Sequence, residues 1–181
     1  MRLCPDCLRE PPAFALARSP LRYEGLVRDG LIALKFHGDF TWLATLAVLC
    51  RESALMADFT PPDWIVPAPL HRDRLRTRGF NQALELARVC FPQWRDRIRP
   101  DALLRRRATL PQTSLDGAAR RRNPVGAFAG APDVGLAGKS VLLVDDVFTT
   151  GATVQACARA LVDVNCARVE VFTVARSLRQ G

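Results

Sequence analysis

The residues best equipped for chemistry form one run: Val141-Leu142-Leu143-Val144-Asp145-Asp146-Val147-Phe148-Thr149-Thr150-Gly151-Ala152-Thr153. Its first four positions are all apolar, the pattern of a parallel strand buried on both faces. Two carboxylates at the carboxyl end of such a strand lie where open α/β sheets bind ligands. Adjacent like charges are costly there unless sugar hydroxyls or a cation meet them. Thr149–Thr153 then supplies small hydroxyl side chains, a glycine free to take positive φ, and the start of a helix. Backbone N–H groups converge at such a turn, and the helix dipole favours an anion. Carboxylates for hydroxyls beside a cradle for phosphate describe a ribose 5-phosphate site.

The elements that must position this run alternate between α and β. Val27, Leu31 and Leu34 recur at helical spacing, and a second apolar helix is predicted over Thr41–Met56. Pro61-Pro62 ends it, and Trp64-Ile65-Val66 reads as a short buried strand stopped by Pro67 and Pro69. Phe80, Ala83, Leu84 and Ala87 mark another helix. From about Pro92 to Gly138 the pattern is loose and rich in Arg, Pro and Gly. Val154, Cys157, Ala158 and Leu161 stripe the helix after the acidic run, and Val169–Val174 is a last strand. Strand, helix, strand at this end is a βαβ unit, so the expected fold class is α/β with a parallel sheet.

Charge narrows the partners. The chain of 181 residues has a net charge of +8, and 24 of its 26 basic residues are arginines. Arg72–Arg78 carries +3 and Arg99–Arg122 carries +5, so these two segments hold the whole excess. The guanidinium fork fits phosphate oxygens bidentately, and a local excess of arginine points to a polyanion; a solvated basic surface is the plain alternative. With 49% hydrophobic and 24% charged residues, the composition excludes a disordered or fibrous chain. The longest apolar run, Leu43–Cys50, is far short of the ~20 residues a membrane span needs. Met1–Pro12 carries Asp6, Glu10 and two cysteines where a signal peptide would be apolar. The expected location is the cytoplasm, with no membrane partner. Cys50, Cys90, Cys157 and Cys166 read as small core residues. Cys4-Pro5-Asp6-Cys7 is a lone CxxC, half of a tetrahedral zinc site.

Val141–Thr153 resembles, at all thirteen positions, the motif with which type I phosphoribosyltransferases bind phosphoribosyl pyrophosphate (PRPP). The wider chain resembles the ComF family of that superfamily, the competence protein F-like, amidophosphoribosyltransferase-like proteins. The resemblance rests on Leu34-Lys35-Phe36, Val66-Pro67-Ala68-Pro69-Leu70, Arg78-Gly79-Phe80-Asn81-Gln82, Gln112-Thr113 and Arg122-Asn123. It implies a phosphoribosyltransferase-like domain over 21–181, a parallel sheet flanked by helices with a mobile arginine-rich flap. Residues 1–20 would be the remnant of the family's cysteine-rich, zinc-binding opening. With only Cys4 and Cys7 to hold it, zinc is expected below one per chain.

By the same resemblance, Asp145 and Asp146 would hold the ribose hydroxyls of Mg²⁺-bound PRPP, and Thr149, Thr150, Gly151, Ala152 and Thr153 its 5′-phosphate. The turn at Pro69 and the stretch Arg72–Gln82, with Arg72, Arg78 and Asn81, would face the pyrophosphate. Preorganised guanidinium groups with Mg²⁺ stabilise the charge developing on that leaving group. Arg78 is the leading candidate, because Gly79 lets the backbone approach a ligand; Lys35 is another PRPP-binding candidate. Arg105–Arg122, with Arg107, Gln112 and Thr113, would form the flap that excludes water. His37 and His71 have no evident catalytic partner. Two functions follow: phosphoribosyl transfer to an acceptor the sequence does not name, or PRPP-regulated binding of single-stranded DNA in natural competence. Against the second stands the scarcity of stacking aromatics, with only Phe80 near the two arginine segments. A homodimer is left open. Gly138-Lys139-Ser140 imitates the end of a P-loop, but Asp133 stands where its first glycine belongs and a strand follows it.

Overall fold

Four parallel ladders build the main sheet. In the computed structural model, which describes residues 11–107, 126–131 and 134–177, β1 (Leu16–Arg18) and β2 (Leu21–Arg22) both pair with the last strand, β7 (Arg168–Arg176). β7 pairs with β6 (Ser140–Phe148), and β6 with β3 (Trp64–Pro67), giving the order β1-β7-β6-β3. β6 is thus central, as its unbroken apolar run requires. The α/β expectation with a parallel sheet and flanking helices is met. β1 lies before residue 20, so the sheet begins inside the stretch expected to precede the domain.

Each face of the sheet has its own core, set by strand alternation. Leu142, Val144, Phe172 and Val174 face helices α2 (Thr41–Arg51) and α4 (Gln82–Cys90), which contribute Leu46, Ala47, Cys50, Leu86, Ala87 and Cys90. Phe91 seals this side against Phe172, ring centroids 4.9 Å apart and edge-on. Val141, Leu143, Val169 and Val171 face α5 (Ala152–Val162), which buries Val154, Cys157, Ala158 and Leu161. Cys50, Cys90 and Cys157 are core residues as expected; Cys166 is only half-buried.

Several elements differ from the sequence reading. The second helix stops at Arg51, and a separate 3₁₀ turn covers Ala54–Asp58. Its N-cap Ser53 accepts the N–H of Leu55, which starts a new element rather than extending the old one. Arg72–Arg78, to which the sequence assigns no element, is helix α3; it has no apolar stripe and buries no residue, so hydrophobic periodicity could not reveal it. Its signal was a cap: His71 accepts the N–H of Asp73, and Gly79, at φ 82°, closes the other end. Gly79 therefore serves to end α3. The loose stretch after Pro92 also carries order. A 3₁₀ helix covers Pro92–Arg97, and β4 (Leu103–Arg105) pairs antiparallel with β5 (Phe128–Gly130), anchored by buried Leu103 and Phe128.

Candidate active site

The register sets the site. β3 pairs with β6 only as far as Pro67 opposite Val144, so Asp145 and Asp146 run past the end of their neighbour. Ala68 donates its N–H to the Val144 carbonyl (2.8 Å), and the chain then turns away through Pro69. Asn81 fixes that turn: its side-chain amide donates to the Ala68 carbonyl (3.1 Å), while its carbonyl oxygen caps α4 at Ala83 N–H (3.0 Å). Asn81 and Pro69 are thus placed as scaffolding of the turn beside the acids.

Alternation sends the two carboxylates to opposite faces. Asp146 shares the face of Leu142 and Val144, where α1 (Gly25–Ile32) continues as a π-helical turn, Ala33–His37. Lys35, on that turn, reaches Asp146 Oδ2 at 2.7 Å. Gln82 joins them, its amide donating to the same oxygen at 3.5 Å while its carbonyl oxygen accepts from Arg78. Asp145 shares the other face, with Cys157 of α5 and Arg105 of β4 within electrostatic reach. The backbone N–H of Asp146 donates to Asp145 Oδ1 (2.9 Å).

The electrostatics follow from that division. Burial pushes the Asp145 carboxyl up to about 7, and the charge of Asp146 adds to the rise. Burial opposes ionisation of Asp146 as well, but the Lys35 ammonium and its hydrogen bond outweigh it and hold Asp146 below the usual carboxylate range. Lys35 is raised in turn, chiefly by Asp146. Around the acids, three guanidiniums crowd together. Burial lowers Arg78 and Arg105 from the ordinary arginine value, and Arg74 depresses both further. Mutually repelling cations beside buried carboxylates make a place for a ligand that is an anion at one end and carries hydroxyls or a cation at the other.

The Thr149–Thr153 turn carries the chain from β6 into α5. Gly151, the residue before α5, has φ 79°, and a Cβ there would lie 2.7 Å from the Phe148 ring. Only glycine satisfies both demands. The Thr150 hydroxyl accepts the N–H of Ala152 (3.4 Å), Thr149 is exposed, and Thr153 lies in the first turn of α5.

The structure thus brings Asp145, Asp146, Lys35 and Arg78 together, with the Thr149–Thr153 turn directly following on the same strand. Arg72 is exposed on the Arg76 side of α3, away from the Arg74 and Arg78 side. Arg107 is exposed beyond β4. Gln112, Thr113, Cys4 and Cys7 lie outside the described residues. Gln82, Arg74 and Arg105 lie inside stretches the sequence marks, Arg72–Gln82 and Arg105–Arg122, but the sequence assigns none of them a role of its own. The i,i+4 spacing of Arg74 to Arg78 would have exposed the first arginine once α3 was recognised; nothing local singles out the other two. Among the described residues, no cluster of three His, Cys, Asp or Glu could hold a metal, and no helix is long and apolar enough to cross a membrane.

The parallel sheet, with paired acids and a glycine turn at one strand end, agrees with a family match: the phosphoribosyl transferase domain family matches residues 113–180. Over its length the chain is 32% identical to the DNA utilization protein YhgH of Escherichia coli K12, covering 97% of this chain and 78% of the relative. It is 28% identical to competence protein F of Haemophilus influenzae (96% and 78%) and 29% identical to competence protein ComFC of Bacillus subtilis (97% and 72%). The chain belongs to the ComF family of the phosphoribosyltransferase superfamily.

Proposed function

We propose that the protein binds Mg²⁺·PRPP and transfers its phosphoribosyl group to an acceptor, releasing pyrophosphate. The observation that carries this reading is the pair of buried carboxylates running past the end of β3 into a glycine turn and helix start. In it, Asp145 and Asp146 accept from the ribose hydroxyls, and the N–H groups of the Thr149–Thr153 turn donate to the 5′-phosphate. Arg78, held by Gln82, faces the pyrophosphate. The acceptor's lone pair bonds to the anomeric carbon as the bond from that carbon to the pyrophosphate oxygen breaks.

The donor set suits Mg²⁺, a hard cation that takes oxygen ligands, and a cation would relieve the repulsion that raises Asp145. Bound through PRPP beside Asp145 and Asp146, it would offset charge on the leaving group. Incubation with Mg²⁺, PRPP and a panel of bases and amines, with pyrophosphate as the readout, tests the proposal. Release that depends on one acceptor supports it; PRPP binding with no release from any acceptor leaves a PRPP sensor. The reading places the protein in the cytoplasm, in keeping with four free thiols among the described residues.

The relatives' names, DNA utilization and competence protein, favour a second reading: PRPP-regulated binding of single-stranded DNA. Neutralising Arg105–Arg107 and Arg120–Arg122 separates the two. If these residues form the flap, the change should weaken PRPP binding or turnover and leave DNA affinity nearly unchanged. If they track a nucleic-acid backbone, it should flatten the salt dependence of DNA binding, by about 0.7 in log–log slope for each phosphate that no longer meets an arginine.

A further inference from the structure

Sequence alone puts only Phe80 beside the arginine segments, but the fold brings two more aromatic rings there. Phe36 is 64% exposed although it lies one residue from Lys35, whose ammonium pairs with Asp146. Its ring sits with the Arg78 guanidinium 6.0 Å from the centroid. Phe40, 45% exposed, packs tilted on Phe80 at 4.8 Å, immediately after the end of α3. α3 supplies the cations. Its Arg72 and Arg76 are exposed one turn apart, and Leu75, also exposed, lies between them and the Arg78 side. Both rings thus lie at the C-terminal end of α3, and the exposed Leu75, Arg76 and Arg72 continue from there along the helix.

Resting on the second reading, we propose that this surface is where a single nucleic-acid strand runs: Phe36 and Phe40 stack two bases, and Arg76 with Arg72 holds the neighbouring phosphates. A duplex, whose bases are already stacked, offers no faces to these rings, so the surface selects single strands. Exposed rings beside arginines suit that ligand on both counts, since bases have faces for the rings and phosphates carry charge for the guanidiniums. The +3 charge of Arg72–Arg78 supplies the complementarity.

Fluorescence anisotropy of a labelled oligothymidylate across a salt series tests this, with PRPP affinity measured in parallel by calorimetry. Phe36→Ala and Phe40→Leu (the latter keeping apolar packing on Phe80) should each weaken strand binding about tenfold. Arg76→Gln should reduce the log–log salt slope by about 0.7. Phe40→Leu and Arg76→Gln should bind PRPP as the parent does. Ring variants that bind the strand as tightly as the parent would overturn the surface while leaving DNA binding to other arginines. A parent protein that binds no single strand at low salt would overturn the surface and the second reading together. Neither result touches the phosphoribosyl-transfer reading, which stands or falls on pyrophosphate release.

Discussion

Val141–Val144 and Asp145–Asp146 are consecutive on β6 and almost equally buried, yet they serve opposite ends. The four apolar residues are covered on both faces, and every one of them gains by leaving water. The two acids lose by it. Asp145 responds by holding its proton up to about pH 7, and Asp146 by recruiting Lys35. One strand therefore stabilises the fold along its first half and stores unfavourable charge at its end, where a ligand can discharge it.

The largest effect should come from the acidic half. Asp145→Ala combined with Asp146→Ala should lower PRPP affinity by more than about a hundredfold by calorimetry without lowering the thermal midpoint. Unchanged affinity in a folded double variant would break the site assignment. Leu143→Ala, two residues earlier and wholly buried, should do the reverse. It should cost about 3 kcal/mol in urea denaturation, with normal PRPP affinity in the protein that remains folded.

Asp145→Asn sharpens the contrast through pH. Because folding raises this carboxyl from 3.8 to about 7, the folded protein holds a proton that the unfolded chain releases, and stability from this group falls as pH rises between those values. The asparagine variant should be more stable than the parent by a few kcal/mol at pH 8, a gain that shrinks steadily towards pH 4. A gain independent of pH would mean that charge is not its source. Lys35→Met should have the smallest effect and the opposite sign. Asp146 titrates below its ordinary value, so its contribution is present above about pH 4 and is lost as pH falls through the folded value. The variant should lose about 1 kcal/mol at pH 7, a loss that shrinks as pH falls below about 4 and Asp146 takes up its proton, whereas a loss independent of pH would reduce Lys35 to packing.

Much of this was legible in advance because β6 and its turn are local: thirteen consecutive residues carry the buried strand, the acids, the positive-φ glycine and the helix start. Hydrophobic period likewise marked α2, α4 and α5. What stayed hidden depends on partners far along the chain. Gln82 becomes a bridge only when α4 is laid beside β6, and Arg105 meets Asp145 only because β4 packs near α5. The two arginine segments read alike in sequence, yet they differ in use. Arg99 stacks on Trp64 at 3.8 Å, so part of the second segment is fastened to the framework, while α3 keeps Arg72 and Arg76 outward. Composition cannot separate a guanidinium that binds its own chain from one that awaits a ligand.

The pairing of β1 and β2 with β7 has a consequence for how the molecule is made. The Ser19 and Thr173 hydroxyls meet at 2.6 Å across 154 positions of sequence. Neither early strand has its ladder until the last strand has left the ribosome. The helices and the β3–Val144 neighbourhood can collapse earlier, but the edge of the sheet closes only after β7 has been made. Contacts of such long range slow folding, because the loop-closure entropy comes before the reward. During that interval the outer edge of β7 and its apolar faces stand open, which makes the nascent chain, rather than the finished protein, the species most exposed to aggregation.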